Sequence, residues 1–375
     1  MYETEANVDG PAGDGRAGRP ESDLRGTPLA DRRGGLPSTR HDVRHRTNSA
    51  LSTGEGMRPG RGTVISADAR PVPVIWNATA GQKKRGPIAP PGPDQLKEAL
   101  AAAGVIARII PTDSEEDAHS AVEDAIAGGE KLIVGAGGDG TIGAIGKQLL
   151  GTDVALGLLP LGSVMNIARM LAVPRELDQA AAVLAARREA TIDVGEANGE
   201  IFFEAASVGI QAAVFRHAQQ FENGDWESPF KAVLEAFRYN PVRMELLLDD
   251  DLRVATRALM VTVSNAPYAG VGMTVAPDAC LNDGKFDVRI FSHSSKWELA
   301  RHLASIAFGR RRYSPHVTTH RSANVTVVGR RPLPCRADSH DLGTTPLECR
   351  MRPASLKVIV GPDYVDGRAC AEDES

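Results

Sequence analysis

A glycine-rich loop is the part of the sequence whose residue types point most directly to chemistry. The loop, Gly137-Gly138-Asp139-Gly140-Thr141, lies between a short apolar run and a segment with helical spacing. Glycine lets the backbone approach a ligand closely, and a helix N-terminus offers free N–H groups to an anion. This glycine loop therefore predicts a phosphate cradle, with Thr141 either capping the helix or holding a phosphate oxygen. A tight strand-to-helix turn without a ligand is the alternative.

Strands and helices alternate on both sides of the glycine loop. Apolar spacing predicts strands at 72–76, 105–111, 132–134 and 155–159, and helices at 94–104, 114–128, 141–150 and 176–189. Ser114 is the expected N-cap of the second helix, because three acidic residues follow it. The alternation predicts an α/β domain with a doubly wound, mostly parallel sheet over residues 71–190. Ligands bind such sheets at the carboxyl ends of the strands.

The pattern changes to short strands after residue 190. We predict strands at 201–204, 242–248, 258–264, 286–291, 324–328 and 356–360, and helices near 229–239 and 296–308. Asp249-Asp250-Asp251 is typical of a hairpin turn. These features predict a mainly antiparallel β-sandwich over residues 191–362, followed by a flexible tail at 363–375.

Residues 1–70 have a different composition from the rest of the chain. They are rich in Gly, Pro, Arg, Asp and Ser and contain no Lys, and their apolar residues are aperiodic. Such a segment cannot bury enough apolar surface to offset its conformational entropy, so we predict disorder. One hypothesis is that translation starts at Met57, which N-terminal sequencing of the native protein would test.

Composition excludes several classes of protein. The chain has 42% apolar and 24% charged residues, as globular proteins do, and its net charge of -5 gives no reason to expect nucleic acid. No uncharged apolar run reaches the ~18 residues that a membrane span needs. Four widely spaced cysteines without a CxxC motif favour reduced thiols over a disulfide scaffold or a zinc site. We therefore expect a cytoplasmic protein with at most peripheral membrane contact.

Four separate blocks carry a family resemblance. They are the glycine loop, then Pro160–Ser163 with Asn166 and Arg169, then 271–284 with Asn282-Asp283-Gly284, and finally Asp338-Ser339-His340 followed by Thr344-Thr345-Pro346. Four blocks in this order are far more specific than one. Together they resemble the diacylglycerol kinase and sphingosine kinase family, especially its soluble bacterial lipid kinases, over about residues 71–362.

The resemblance implies an ATP-binding α/β domain joined to a β-sandwich that carries a lipid. ATP and Mg²⁺ are the implied cofactors, with Asp139 close to the metal. The positions that match nucleotide-side residues are Asn77, Gly81, Thr112, Gly137, Gly138, Asp139, Gly140, Thr141, Gly162, Ser163 and Asn166. Asp283 matches a metal-linked aspartate. Asp338 and His340 match the two ends of the family's Asp-Gly-Glu, which supplies catalytic carboxylates.

Some residues depart from the family pattern. His340 replaces Glu, and Met165 stands where many members have Asn, whereas Ser163 for Thr keeps the hydroxyl. A neutral imidazole is a poor ligand for Mg²⁺ but can act as a base near neutral pH. Either the site keeps its base and holds metal less well, or Asp338 does both jobs. A polar β-turn without a catalytic role is the alternative for this segment.

The resemblance predicts a lipid kinase that moves the γ-phosphoryl group of ATP to a lipid hydroxyl, with diacylglycerol as the default acceptor and phosphatidic acid as the product. One alternative is a catalytically impaired lipid- or nucleotide-binding protein, which His340 and Met165 would explain. Another is a NAD-kinase-like phosphotransferase, which shares the glycine loop. The expected partner is a lipid at a membrane surface, and a homodimer is left open. The cationic residues 310–312 could bind anionic lipid or form a solvated helix end.

Overall fold

The computed structural model describes residues 70–77, 91–210, 240–270, 273–292 and 317–366. The predicted N-terminal disorder, Gly81, the helices predicted near 229–239 and 296–308, the cationic residues 310–312 and most of the predicted tail lie outside these residues. All described residues belong to one compact unit.

The first half of the described chain alternates strands and helices. Its elements are β1 (Val72–Asn77), α1 (Pro93–Ala102), β2 (Ala107–Thr112), α2 (Glu115–Ala127), β3 (Leu132–Gly137), α3 (Asp139–Leu149), β4 (Ala155–Pro160), α4 (Asn166–Met170) and α5 (Leu177–Ala186). The four strands are parallel, in the order β2-β1-β3-β4. α1 packs against α5, and α2 packs against α3. The predicted α/β fold is confirmed.

Local sequence explains where these elements begin. The side chain of Ser114 accepts a hydrogen bond from the Asp117 N–H at 3.1 Å, and the Asp117 carboxylate accepts one from the Ser114 N–H at 3.1 Å. This capping box confirms the predicted N-cap of α2. β3 is buried along its whole length, as its uninterrupted apolar run requires in a sheet covered on both faces.

The second half is a mainly antiparallel β-sandwich, as predicted. Its strands are β5 (Glu189–Ala197), β6 (Glu200–Phe202), β7 (Ala205–Gly209), β8 (Val242–Leu248), β9 (Leu252–Ser264), β10 (Tyr268–Ala269), β11 (Met273–Thr274), β12 (Phe286–Ser292), β13 (Val317–Ser322), β14 (Asn324–Gly329), β15 (Pro334–Ala337), β16 (His340–Thr344) and β17 (Leu347–Ile359). Six of them pair in the order β16-β15-β7-β9-β8-β14. The rings of Phe202 and Phe286 stack 5.6 Å apart in the core of this half.

The last strand connects the two halves. The first part of β17 pairs with β14, and nearly the whole strand pairs antiparallel with β5. Its end also runs parallel to β4, with Val358 opposite Leu156. Leu356, Val358 and Ile359 are buried in the core that the α/β elements form. We predicted a strand at 356–360 but counted it in the sandwich, because periodicity identifies a strand and not its neighbours.

Several element boundaries differ from the prediction. α3 begins at Asp139 with Gly138 as its N-cap, so Thr141 lies in the first turn and does not cap the helix. α5 ends at Ala186 because Arg187 adopts a left-handed conformation with φ 49°, and β5 begins at Glu189. The hairpin turn between β8 and β9 is confirmed, with Asp249 and Asp250 at positive φ.

The cysteines follow the prediction in part. Cys335 and Cys349 are free and buried, and burial raises the pKa of the Cys335 thiol to about 12. Cys280, however, is disulfide-bonded, against the expectation of reduced thiols. Wide spacing along the sequence therefore did not exclude a disulfide at Cys280.

Candidate active site

The glycine loop forms a sharp passage from β3 into α3. Gly138 has an extended backbone with φ −90° and ψ 179°, and no side chain caps the helix. A Cβ at Gly137 would lie 2.8 Å from Oγ1 of Thr141, so the chain needs glycine there. The first intrahelical bond runs from the Ile142 N–H to the Gly138 carbonyl at 3.0 Å. The N–H groups of the first turn therefore have no intrahelical acceptor and can bind an anion.

A second loop, residues 160–169, packs directly on the glycine loop. The Leu161 N–H donates to the Gly137 carbonyl at 2.9 Å. A Cβ at Gly162 would lie 2.7 Å from the Cα of Gly138, so the two backbones touch. The two segments predicted to contact the nucleotide are thus neighbours in space.

Arg175 fixes the second loop from outside. Its guanidinium donates to the Ser163 carbonyl at 3.0 Å and to the Gly162 carbonyl at 2.7 Å, while Ser163 itself is exposed. Met165 is buried with φ 60°, an uncommon conformation for a side chain of its type, and its Sδ accepts a hydrogen bond from the Gly162 N–H at 3.2 Å. Met165 thus contacts the backbone of the second loop from a position where many members of the resembled family have asparagine.

The end of β1 lies beside the glycine loop. The Asn77 amide donates to Thr141 Oγ1 at 3.0 Å. Thr112 is opposite Asn77 in the sheet and is only 4% exposed, and its hydroxyl donates to the Trp76 carbonyl at 3.3 Å. Both predicted residues are at the carboxyl end of the sheet, but the Thr112 hydroxyl is engaged with the backbone of β1.

Asp139 ties the two loops together. Its Oδ1 accepts a hydrogen bond from the Ile167 N–H at 2.9 Å, at the start of α4. A carboxylate at this position is favourable both for the N-terminus of α3 and for that of α4. The glycine loop, the second loop and α4 are therefore one connected structure.

The acidic turn, residues 338–340, contributes one partly buried carboxylate. Asp338 has φ 45°, and its carboxylate accepts hydrogen bonds from the N–H groups of Phe203 at 2.8 Å, Glu204 at 3.0 Å and Ala205 at 3.1 Å. Burial raises the pKa of Asp338, and the three amide hydrogen bonds oppose that rise. His340 is exposed on β16, so the structure does not bring it into this cluster.

Glu204 is an acidic residue that the sequence analysis missed. It is 8% exposed, and its Oε2 accepts hydrogen bonds from the Asn166 amide at 2.9 Å and the Gly270 N–H at 3.0 Å. Burial, followed by the charges of Asp338 and Asp139, raises the pKa of Glu204 to about 9. Its sequence signal was slight: one charged residue at the end of an apolar stretch.

Asn166 is at the point where these elements meet. It is 1% exposed, and besides its bond to Glu204 its amide donates to the Gly270 carbonyl at 2.9 Å. Its Oδ1 is buried and accepts no hydrogen bond from any described residue. Oxygen atoms of this kind suit a bound hydroxyl or a hydrated Mg²⁺ ion.

Asp283, for which a metal-linked role is predicted, pairs with a cationic side chain of the protein itself. Its Oδ2 forms an ion pair with the Arg321 guanidinium, and its Oδ1 accepts a hydrogen bond from the Lys285 N–H at 2.9 Å. The guanidinium supplies the positive charge that a cation would bring. Within the described ranges, no three His, Cys, Asp or Glu residues are grouped so that they could hold a metal ion.

Comparison with known proteins identifies both halves of the chain. Residues 71–197 match the diacylglycerol kinase catalytic domain, and residues 204–360 match the YegS C-terminal NAD kinase beta sandwich-like domain. The chain belongs to the diacylglycerol kinase family. The predicted resemblance is thereby confirmed, together with kinase activity on a lipid at the level of the family.

Relatives and solved structures agree with membership of the diacylglycerol kinase family. A protein named "Probable lipid kinase YegS-like" from Klebsiella pneumoniae (strain 342) is 25% identical over 285 residues, which cover 72% of this chain and 92% of that protein. A protein with the same name from Enterobacter sp. (strain 638) is 28% identical over 219 residues, which cover 54% of this chain and 71% of that protein. The crystal structure of a diacylglycerol kinase from Bacillus anthracis str. Sterne shares the fold, with a TM-score of 0.61 at 18% identity, over 79% of this chain and 98% of that one.

Membership of this kinase family implies ATP as the phosphoryl donor and a divalent metal ion bound together with it. In the part of the chain that the structure describes, no helix has the length and apolar character to cross a bilayer.

Proposed function

We propose that this protein transfers the γ-phosphoryl group of ATP to the hydroxyl of a membrane lipid, with diacylglycerol as acceptor and phosphatidic acid as product. The observation that carries the proposal is that two glycine-containing loops in contact are linked to the acidic turn through Glu204, whose side chain accepts a hydrogen bond from Asn166 and whose N–H donates to Asp338. The loops suit phosphate, and the acidic turn suits an attacking hydroxyl.

We assign the phosphate side to the glycine loop and its neighbours. The free N–H groups at the start of α3 would bind phosphate oxygens, and Asn77 holds the Thr141 side chain beside them. Gly162 and Gly138 let the second loop approach closely. Mg²⁺ bound with ATP would neutralise charge on the transferred group.

We assign the acceptor side to the acidic turn. Asp338 is our candidate for the group that takes the proton from the lipid hydroxyl while that oxygen attacks phosphorus. Three backbone N–H groups hold its carboxylate in one orientation, and its raised pKa favours proton uptake. His340, exposed two residues further on, is the second candidate.

Several further expectations accompany this proposal. Residues 71–190 form the ATP-binding domain and residues 191–362 the lipid-binding domain. The protein is cytoplasmic and meets its lipid at the membrane surface, because an acylated substrate resides there.

The test is a kinase assay with purified protein, labelled ATP, Mg²⁺ and mixed micelles that contain a panel of lipids. We expect phosphorylation of diacylglycerol, and a loss of roughly 10²- to 10⁴-fold in kcat for Asp338→Asn, the range for removal of a general base. Asp250→Asn is the matched control, because Asp250 also occupies a turn at positive φ but is exposed and remote from the loops.

Other outcomes would identify the alternatives. Phosphorylation of NAD rather than lipid would favour a NAD-kinase-like enzyme. Tight lipid binding without phosphorylation under any divalent metal would indicate a binding protein. Full activity of Asp338→Asn with loss in His340→Ala would move the base to His340.

A further inference from the structure

Glu204 joins the two halves of the candidate site. Its side chain reaches Asn166 in the second loop, through a hydrogen bond of 2.9 Å, and the same oxygen accepts the Gly270 N–H at 3.0 Å. Asn166 begins α4, whereas Gly270 directly follows β10 of the sandwich. One carboxyl oxygen therefore holds a residue from each half.

The backbone of Glu204 is fixed as firmly as its side chain. Its N–H donates to Asp338 Oδ1 at 3.0 Å, and its carbonyl accepts from the N–H groups of Asn265 at 2.9 Å and Ala266 at 3.0 Å. A displacement of Glu204 would consequently displace both the second loop and the acidic turn. The distance between phosphate donor and acceptor hydroxyl depends on those two segments.

Stability alone does not explain a glutamate at this position. No lysine or arginine within the described ranges forms an ion pair with Glu204, although it is nearly buried and has two carboxyl groups as neighbours. Burial of an acid without a cation is unfavourable. Residues that oppose stability in this way are concentrated at functional sites.

We propose that Glu204 is a positioning residue, which sets the second loop against the acidic turn so that the two substrates meet in line for transfer. The inference rests on the proposed kinase function and names a residue that its chemistry requires. Glu204 acts through Asn166 and Asp338.

The geometry predicts which substitutions are tolerated. Both hydrogen bonds end on one oxygen, so the amide oxygen of Gln can accept them without a charge. Leu keeps the length of the side chain and accepts neither bond. Asp keeps the carboxyl group, but it is one methylene shorter and should not reach Asn166.

The experiment compares kcat, the KM for ATP, thermal unfolding and amide hydrogen exchange of residues 160–170 in the full chain. Glu204→Gln should lose much less kcat than the other two variants, because its amide oxygen can accept both hydrogen bonds. Glu204→Leu and Glu204→Asp should lose about 100-fold in kcat, as a displacement of about 1 Å can cause, with little change in the KM for ATP. In these two variants, exchange should rise at residues 160–170.

Glu245→Leu is the matched control, because Glu245 is an exposed glutamate on β8 whose partner is Arg253 at 3.5 Å. The inference is overturned if Glu204→Leu or Glu204→Asp keeps wild-type kcat and exchange, or if Glu204→Gln is as impaired as they are. If the wild type phosphorylates no lipid, the proposed function fails, while hydrogen exchange still decides whether Glu204 holds the second loop. Should Glu204→Leu fail to fold, the comparison of Gln with Asp gives the same decision.

Discussion

The phosphate side and the acidic side of the site are built in different ways. On the phosphate side, five consecutive residues supply a glycine loop and a helix start, and backbone N–H groups are left without intrahelical acceptors. On the acidic side, Glu204 and Asp338 come from distant segments, and other residues hold each carboxyl group by hydrogen bonds. The first arrangement is local and open to a ligand, whereas the second is long-range and largely satisfied by the chain itself.

This difference indicates that the two sides have different roles in the transfer. An open set of backbone donors can accommodate the changing charge of a phosphate group during transfer. A set of carboxyl groups locked by hydrogen bonds fixes position instead, and substitution there should affect kcat more than binding.

Substitution of Gly162 on the phosphate side should have the largest effect on stability and ATP binding. A Cβ at Gly162 would lie 2.7 Å from both the Gly138 Cα and the Met165 Sδ, so Gly162→Ala must separate the two loops. We expect a fall in the free energy of unfolding of about 1–3 kcal/mol, as for other overpacked sites, together with weaker ATP binding. Thermal unfolding and nucleotide titration measure the two effects.

Gly140→Ala is the matched variant, because a Cβ there would meet no atom within 4 Å. Alanine in a helix is favoured over glycine by about 1 kcal/mol, so stability should hold or rise. ATP affinity should still fall, since the new methyl group would occupy space at the start of α3. Unchanged stability in Gly162→Ala would show that the loops do not pack as described.

The pH dependence of stability tests the raised pKa of Glu204 on the acidic side. The pKa of Glu204 is about 9 in the folded protein against an ordinary value of 4.5, so the folded state keeps a proton that the unfolded chain releases. The free energy of unfolding should therefore fall as pH rises from about 4.5 to about 9. Glu204→Gln cannot lose this proton, and its Tm should exceed that of the wild type by a margin that grows with pH.

Asp338, whose pKa is also raised, is present in both proteins, so the difference between the two curves reports Glu204 together with its electrostatic effect on Asp338. Glu245→Gln is the exposed control and should follow the wild-type curve. Parallel curves for Glu204→Gln and the wild type would mean that Glu204 titrates near its ordinary pKa.

The smallest expected effect is the change in Tm of the nucleotide-free protein when metal is removed. Arg321 supplies the counter-charge for Asp283, so EDTA should leave the Tm of the nucleotide-free protein unchanged. The same EDTA should abolish kinase activity, which confirms that the chelator works. A fall in Tm on chelation would mean that a cation displaces the guanidinium from Asp283.

Short-range patterns carried most of the fold and part of the site. The glycine loop was identified because its glycines and the adjacent helix are contiguous in the sequence. The cap of α2 was predicted because Ser114 and Asp117 lie within one turn. The start of α3 was misplaced by two residues, because glycine and aspartate resemble loop residues even when they form a first helical turn.

The remaining features depend on contacts between distant segments. Arg175 and Glu204 have no motif of their own, and each acquires its role only through partners elsewhere in the chain. His340 was grouped with Asp338 because the two match the ends of the family's Asp-Gly-Glu, yet backbone N–H groups hold the Asp338 carboxylate whereas His340 is exposed.

The sequence by itself determined the family, the alternation of strands and helices, the change to a β-sandwich and the position of the glycine loop, since each depends on neighbouring residue types. Only the tertiary structure decided that β17 returns to the parallel sheet, that Arg321 forms an ion pair with Asp283, and that Glu204 lies between the second loop and the acidic turn. The physical reason is that periodicity and turn chemistry act over a few residues. The partners of a buried charge are chosen by packing across the whole fold.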